Sequence, residues 1–215
     1  FLGSLRRRVV TVGDLDFAAA TKNPEKTLEH FTSMPGVKHV VSEGGYKAMV
    51  VLANGMHVDL LVGDPDTYGA LLQHFTGGKN HNIHLRTLSE KKGYSLSERG
   101  VKDLKTGKVK PIKEEKELYA MLGMQTPDPE LREDTGEIEA AIKHQLPKLV
   151  MLEDIKGDMH LHSSFPMEPS HGPGANELDE IVKKAISLKY EFVGLSDHSP
   201  GFTKNSKEKI IQLIE

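Results

Sequence analysis

The stretch GSLRRRVVTVGDLD, residues 3–16, and the run MHVDLLV, residues 56–62, decide the fold. Valine and leucine surround Asp14 and Asp16, and this apolar setting predicts a strand whose side chains alternate between the two faces of a sheet. Both carboxylates then point the same way. Asp59 lies in the second alternating run, so we expect it to join them from a neighbouring strand.

Three carboxylates on adjacent strands suit a divalent cation. Two residues along a strand span about 6.5 Å, so Asp14 and Asp16 are close enough to bind one cation or a pair of cations. Mg²⁺ binds to one or two carboxylates plus substrate phosphates, so we expect Mg²⁺ or Mn²⁺ here, with Asp59 as the third ligand. The plainer interpretation leaves Asp14 and Asp16 as solvated edge residues and Asp59 as a turn residue. An isolated Asp-x-Asp would favour that interpretation.

The residues upstream of the carboxylates favour catalysis instead. Gly3 and Ser4 lead into Arg6, Arg7 and Arg8, which predicts a turn with a hydroxyl donor, accessible backbone amides and fixed positive charge. These are the groups that bind a polyphosphate. A phosphate cradle beside paired carboxylates predicts a nucleotidyl-transfer site.

The composition excludes several kinds of site. The chain has 215 residues, no cysteine and a formal net charge of −3, so disulfides, thiolate zinc sites and cysteine nucleophiles are ruled out. Any metal must be held by histidines and carboxylates. No apolar run is long enough to cross a bilayer, so we expect a cytoplasmic protein without a membrane partner.

The pattern between these motifs predicts helices that back a mostly antiparallel sheet. Three apolar runs at 37–42, 46–52 and 56–62 read as strands, and Asn54-Gly55 is a strong hairpin signal. Helices are expected at 25–33, 66–73, 79–92 with Ile83 on its apolar face, and 114–122, and short strands at 94–101 and 109–112. The Pro-rich QTPDPELRED, residues 125–134, reads as a linker or an extended wrap.

The spacing Gly-Ser, nine residues, Asp-x-Asp, with a third Asp on a later strand, resembles the nucleotidyltransferase superfamily. The stretch HFTGGKNHNIHLR, residues 74–86, narrows the resemblance to the family X DNA polymerases, of the bacterial and archaeal type with a C-terminal PHP domain. The resemblance implies an α+β chain with a nucleotidyltransferase palm and a thumb, followed by the first strands and helix of an α/β PHP barrel. It also implies a fragment that lacks an N-terminal lyase-like domain and a fingers subdomain.

The resemblance assigns roles to single residues. Asp14 and Asp16 would bind both metals, and Asp59 would bind the catalytic metal and could take the proton of an attacking 3′-hydroxyl. Arg86 and His57 would contact DNA, although Arg86 could form a surface pair with Glu90 and an isolated histidine is more often structural. The implied nucleotide-binding residues are Gly3, Ser4, Arg7, Gly13, Phe75, Gly77 and Asn82.

A second group of polar residues lies near the C-terminal end. In GDMHLHS, residues 157–163, alternation places His160 and His162 on one face, a common way to bind a transition metal, although surface histidine pairs are frequent. With His198 they resemble the first two motifs of a PHP metallo-phosphoesterase that binds Zn²⁺ or Mn²⁺. His171 stands where that family has an acidic residue, and the remaining ligands lie beyond the chain, so we expect no complete nuclease site.

The domains expected are a palm at 1–70, a thumb at 71–125, a linker at 126–152 and the start of a PHP domain at 153–215. The function implied is gap filling in DNA repair by a monomer that acts on gapped or primer–template DNA with a dNTP. Two alternatives stay open. One is a nucleotidyltransferase acting on an RNA or small-molecule acceptor, and the other is a non-catalytic DNA-binding fragment.

Overall fold

The computed structural model describes residues 1–169, 172–201, 203 and 205–214. The chain divides into two compact units, unit 1 at Phe1–Pro147 and unit 2 at Lys148–Glu215. In the described residues, no helix has the length and apolar character needed to span a membrane.

Unit 1 begins with a four-stranded sheet in the order β1-β4-β3-β2. The edge strand β1 runs parallel to β4, whereas the other two pairs are antiparallel, so the sheet is mostly antiparallel as predicted. The strands are β1 Leu15–Ala20, β2 Val37–Gly44, β3 Lys47–Leu52 and β4 His57–Gly63.

The β3–β4 hairpin turns at the predicted dipeptide. Gly55 has a φ of +86°, a value that glycine adopts without the steric cost of a side chain. Met56 N donates to the Asn54 side-chain oxygen over 3.0 Å. This turn fixes which residues of the two strands face the same side of the sheet.

Helix α2 (Pro24–Thr32) covers one face of this sheet. Asn23 caps it by accepting a bond from Lys26 N over 3.2 Å, and proline in the first turn costs no hydrogen bond because the first amides of a helix have no internal partner. Leu28 packs on Leu60 and Val62 of β4. The helix therefore occupies one face and leaves the other for the carboxylates.

The rest of unit 1 is mainly helical around its own apolar core. Two strands form a hairpin, and a third, short strand joins it at the edge. The buried core side chains come from the helices and the hairpin, whereas Val109 of the short strand is exposed. The elements are α3 Tyr68–Thr76, α4 Lys79–Lys91, β5 Tyr94–Ser97, β6 Gly100–Asp103, β7 Val109–Lys110, α5 Glu115–Met121 and α6 Glu137–Ile142.

Three local predictions were wrong. Residues 9–13 do not extend β1, because its partner β4 begins only at His57 and gives them no hydrogen-bonding neighbour. The predicted strand at 94–101 is the β5–β6 hairpin, which turns before Gly100. Ile83 is 47% exposed, because Leu85 and Leu88 make the inward face of α4.

The Pro-rich stretch and the residues after it are packed within unit 1. Arg132 is 1% exposed, and Ile138 and Ala141 of α6 belong to the helical core. The residues of α6 pack within unit 1 because their apolar side chains are stabilised by burial in its core. The contacts place the division between units at Pro147, so much of the expected linker at 126–152 is structured.

Unit 2 has the strand, helix, strand order that the sequence predicts. Strands β8 (Gly157–Leu161) and β9 (Phe192–Leu195) pair in parallel. Helix α7 (Leu178–Ser187) connects them along the chain, and α8 (Lys207–Ile214) follows β9.

Candidate metal and nucleotide site

Two carboxylates lie opposite each other on neighbouring strands of the sheet. Asp16 on β1 is the register partner of Asp59 on β4. Register partners on parallel strands point to the same face, and this is the face opposite to the one that α2 covers. Asp14 lies in a bend two residues before Asp16. The structure therefore brings together the strands that carry Asp16 and Asp59. The prediction that Asp14 lies on the same strand as Asp16 was wrong, because β1 begins only at Leu15.

The environment of Asp16 opposes its negative charge. Burial has the largest effect on the pKa of Asp16 and raises it, and the nearby charges of Asp14 and Asp59 raise it further. Lys47 and Arg7 act in the opposite direction, and the net pKa lies above its ordinary value. Three crowded carboxylates of this kind are stabilised when a cation lies among them.

A lysine that the sequence motifs do not mark contacts this cluster. Lys47 Nζ forms an ion pair with Asp59 Oδ2. Lys47 lies opposite Leu61 in the β3–β4 pair, and Leu61 shares its face with Asp59 because side chains alternate along a strand. Counting back from the Asn54-Gly55 turn would have placed Lys47 on this face.

The donor set suits a hard divalent cation. Asp14, Asp16 and Asp59 offer only carboxylate oxygens, which Mg²⁺ and Mn²⁺ prefer. Over the described residues, no three His, Asp or Glu side chains are arranged to hold a metal ion in this conformation. At Asp59, the Lys47 ammonium contacts Oδ2, an oxygen that a cation would use. The carboxylate oxygens of Asp14, Asp16 and Asp59 are therefore chemically suited to bind a divalent metal ion.

The predicted phosphate turn is a single helical turn, α1 (Gly3–Arg6). Leu2 N donates to Asp16 O over 2.7 Å, which ties the start of α1 to β1. Gly3 has a φ of +55°, and a Cβ there would collide with the Asp16 carboxylate. Only glycine therefore fits at this position. Ser4 is partly buried in α1, and Gly13 is exposed with open space around it.

The three arginines after Ser4 are engaged in different ways. Arg7 Nε lies 2.6 Å from Glu133 Oε1, and Arg7 NH1 donates to Thr76 O over 2.8 Å. Arg8 is largely exposed and lies 3.0 Å from Glu130. Arg7 also lowers the pKa of Asp16, although burial and the other carboxylates outweigh it. Of Arg7 and Arg8, Arg7 is therefore the residue that is held beside the carboxylates.

Arg6 enters a buried group of charges in the helical part of unit 1. Its side chain donates to Thr76 Oγ1, and its NH2 lies 2.5 Å from Glu115 Oε2. The other oxygen of Glu115 accepts from Arg132 NH1 over 2.6 Å. Burial would raise the pKa of Glu115, but the two arginines outweigh burial and lower it. The charged carboxylate therefore links α1 to α5 and to the residues after it.

The end of α3 and the start of α4 are joined through Asn82. Its Nδ2 donates to His74 O over 2.6 Å, and its Oδ1 accepts from Gln73 Nε2 over 2.7 Å. A Cβ on Gly77 would lie 2.6 Å from Asn82 Oδ1, so the turn between the helices requires glycine. Phe75 is partly buried and packs edge-on against the His74 ring, with centroids 4.8 Å apart.

The two residues expected to contact DNA are both exposed. Arg86 lies one turn after Asn82 on α4, and its Nε donates to Asn82 O over 3.2 Å. Within the described residues, no ion pair joins Arg86 to Glu90. His57 begins β4 on the same face as Asp59. Both side chains are therefore accessible to a ligand.

In unit 2, three histidine rings come together at the ends of β8 and β9. The rings of His160 and His162 have centroids 5.0 Å apart, and those of His162 and His198 are stacked at 4.5 Å. His162 Nδ1 is buried with no hydrogen-bond partner. An orphaned ring nitrogen suits a metal ligand. His171 lies outside the described residues.

A carboxylate next to these rings is held in place by a serine. Asp197 accepts bonds from Ser163 N over 2.5 Å and from Ser163 Oγ over 2.6 Å. These two bonds, with smaller contributions from His162 and His198, lower the pKa of Asp197. Asp197 directly precedes His198 in the chain, and its bonds to Ser163 join the ends of the two strands.

Comparisons with known proteins identify polymerase relatives. A family model described as DNA polymerase beta thumb matches residues 71–133. The chain is 35% identical over 199 residues to the DNA polymerase/3'-5' exonuclease PolX of Bacillus subtilis (strain 168), a match that covers 92% of the chain and 34% of that relative. The chain thus spans about a third of the length of this relative.

A solved structure has the same fold over part of the chain. The ternary P/T complex of Leishmania infantum polymerase beta is 23% identical, with a TM-score of 0.53 over 61% of this chain and 66% of that one. At this identity the likeness shows the fold alone, an α+β arrangement like that of the polymerase beta palm and thumb.

Proposed function

We propose, from the premise that this chain is related to the family X DNA polymerases as its motifs predicted, that it contains the nucleotidyl-transfer site of a DNA-directed DNA polymerase. The observation that carries the proposal is the pairing of Asp16 with Asp59 on the face of the sheet opposite to α2. The relatives that the chain matches are DNA polymerases. In this assignment the palm covers 1–70 and the thumb begins at residue 71.

The reaction is the transfer of a dNMP to a primer 3′-hydroxyl with release of pyrophosphate. Asp14, Asp16 and Asp59 would hold Mg²⁺ or Mn²⁺, and the bound ion would activate the hydroxyl and stabilise the leaving pyrophosphate. Asp59 would also take the proton of the attacking hydroxyl. Arg7 neutralises charge on the triphosphate, while Gly3 and Ser4 allow the backbone to approach it and Gly13 precedes the carboxylates.

The helical part of unit 1 would orient the nucleotide and the DNA. Phe75 and Gly77 lie at the turn that would contact the sugar, and Asn82, held by its two side-chain bonds, would face the nascent base pair. Arg86 would contact the template and His57 the primer backbone. The expected substrates are a dNTP and gapped or primer–template DNA, bound by one copy of the chain for gap filling in repair.

Unit 2 would be the first part of a PHP phosphoesterase domain. His160, His162 and His198 would hold Zn²⁺ or Mn²⁺, with His171 as a further candidate, and the orphaned Nδ1 of His162 supports this assignment. The printed name of the Bacillus subtilis relative includes a 3'-5' exonuclease.

A direct assay distinguishes this function from its alternatives. The chain is incubated with Mg²⁺ and dNTPs on gapped DNA duplex, and separately with nucleotides on single-stranded RNA. Extension on the gapped duplex alone supports the polymerase assignment, whereas extension on RNA favours the other nucleotidyltransferases. Binding of duplex that weakens with salt, without extension on either substrate, identifies a DNA-binding fragment.

A further inference from the structure

We infer that Lys47 is a built-in competitor of the divalent cation, whose ammonium must leave Asp59 before a metal ion can bind there. This inference rests on the proposed function, because it concerns the same carboxylates. It assigns a role to a residue that lies outside the sequence motifs and that belongs to β3, the strand next to the carboxylate strand β4.

The register of the sheet directs Lys47 toward the cluster. Lys47 starts β3 opposite Leu61 of β4, and Met49 lies opposite Asp59. The lysine stem therefore runs along the shared face toward Asp59, where the ammonium pairs with Oδ2. The Asp59 side chain is only 9% exposed, so few other positions are open to a second cation at that oxygen.

The ion pair shows what Lys47 does beside the carboxylates. Asp16 lies opposite Asp59 in the register of β1 and β4, and the Lys47 ammonium contacts Asp59 Oδ2. An ammonium at this position therefore offsets part of the repulsion among the carboxylates. A metal ion would offset the same repulsion, so the two cations are alternatives at one site.

Lys47 also has space into which it can withdraw. Its side chain is 45% exposed and borders a cavity of about 590 Å³ that Asp64 and Glu98 also line. A lysine carries its charge on a flexible four-carbon stem. The amine can therefore leave Asp59 and remain hydrated and close to other carboxylates.

The expected effect follows from the population of the lysine-bound state. If Lys47 occupies Asp59 in about nine of ten molecules, the apparent metal affinity falls about tenfold, because only the remaining molecules are competent to bind. Removing the ammonium should thus tighten metal binding about tenfold. A residue that merely stabilises the strand would leave the affinity unchanged or weaken it.

The test is a titration of the full 215-residue chain with Mn²⁺, followed by electron paramagnetic resonance, without DNA or nucleotide. Asp59→Asn identifies the part of the signal that belongs to the carboxylate cluster, as distinct from ions held by the histidines. Lys47→Gln should bind this fraction about tenfold more tightly than the unchanged chain, and Lys47→Arg should keep the lower affinity. Lys22→Gln, which removes a lysine from the surface pair with Asp64, controls for net charge.

The outcomes separate this inference from the proposed function. If Asp59→Asn lowers Mn²⁺ binding while Lys47→Gln and the unchanged chain bind equally, the competition is refuted and the metal site stands. If Asp59→Asn leaves the titration unchanged, both ideas fail, since no cation reaches Asp59. Circular dichroism of each variant verifies the fold, and Lys47→Met, which also lacks the ammonium, replaces Lys47→Gln if that variant does not fold.

Discussion

Asp16 and Asp59 lie directly opposite each other on parallel neighbouring strands, although a helix and two strands separate them along the chain. This relationship places two negative charges on the same face of the sheet, where burial and mutual repulsion raise the pKa of Asp16. A fold tolerates such a pair when a positive charge offsets it.

Replacing Asp59 by asparagine should abolish nucleotide incorporation. The side chain keeps its size but loses the charge that binds a cation, so we expect a loss of roughly 1,000-fold in kcat, equal to about 4 kcal/mol of transition-state stabilisation. The measurement is primer extension on gapped duplex with Mg²⁺. Asp64→Asn removes an exposed carboxylate and should retain activity, while substantial extension by Asp59→Asn would remove Asp59 from the chemistry.

Replacing Arg7 by alanine should raise the KM for dNTP about tenfold with little change in kcat. A charge-assisted hydrogen bond to phosphate contributes similarly to the ground state and the transition state, so its loss weakens binding. Steady-state extension at varied dNTP concentration measures this. Arg8→Ala is the matched control, because Arg8 is largely exposed and points to Glu130. An unchanged KM for Arg7→Ala would assign Arg7 to its contacts with Glu133 and Thr76 alone.

Replacing Gly77 by alanine should destabilise the chain by about 1–3 kcal/mol, a typical cost of overpacking. The added methyl group would press against Asn82 Oδ1, which lies 2.6 Å from the position of a Cβ. Urea unfolding measures the change, and base selection during extension reports whether Asn82 moves. Gly44→Ala serves as the control because nothing lies within 4 Å of a Cβ there. Equal stability of both variants would show that the turn adapts without cost.

Replacing Glu115 by glutamine should destabilise unit 1 by about 3 kcal/mol, since it leaves the buried Arg132 without its counter-charge. Arg132 is 1% exposed and lies 2.6 Å from Glu115. The measurement is the free energy of unfolding in urea. Glu130→Gln breaks the exposed pair with Arg8 and should cost less than about 1 kcal/mol. Equal losses of unfolding free energy in Glu115→Gln and Glu130→Gln would show that the buried pair contributes no more to stability than the exposed pair.

Acidification should destabilise unit 1 through His81. Burial lowers the pKa of His81 below 6.5, despite the bond of its Nδ1 to Glu137 Oε1 at 2.6 Å. The unfolded chain therefore binds a proton that the folded chain excludes, so stability is complete above pH 6.5 and is lost as the pH falls through the lowered pKa. Urea unfolding at several pH values measures this slope.

The variant that tests this pH dependence is His81→Gln, which has no proton to gain. Its stability should vary less between pH 6.5 and 5 than that of the unchanged chain, whereas His39→Gln, on the exposed strand β2, should keep the original slope. Glu137 affects stability only at lower pH, because hydrogen bonds to its carboxylate outweigh burial and lower its pKa below 4.5. A steeper slope in His81→Gln would contradict the assignment.

Short sequence motifs predicted those parts of the fold that depend on a single local interaction. Asn54-Gly55 set the β3–β4 hairpin, and Pro24 with the cap Asn23 set the start of α2. The expectation for residues 9–13 failed because alternating valines indicate a strand only where a partner strand exists. Such a partner is a property of the assembled sheet, and no short stretch of sequence contains it.

The charged contacts of the candidate site were harder to predict. Lys47 reads as an ordinary strand lysine until the register with β4 is known. Glu115 and Arg132 lie in segments that look solvated, yet both are buried, because each offsets the charge of the other and Glu115 also pairs with Arg6. Long-range pairing of this kind depends on the packing of α1 against α3 and α5.

The parallel pairing of β1 with β4 also has a consequence for how the chain folds. β2, β3 and β4 can form from neighbouring hairpins, whereas β1 must close a long loop before it pairs with β4, which is an entropically costly and slow step. The acidic residues therefore meet only when the sheet is completed. During synthesis on the ribosome, repulsion between them does not oppose the early hairpins, and it arises only at the moment when β1 docks.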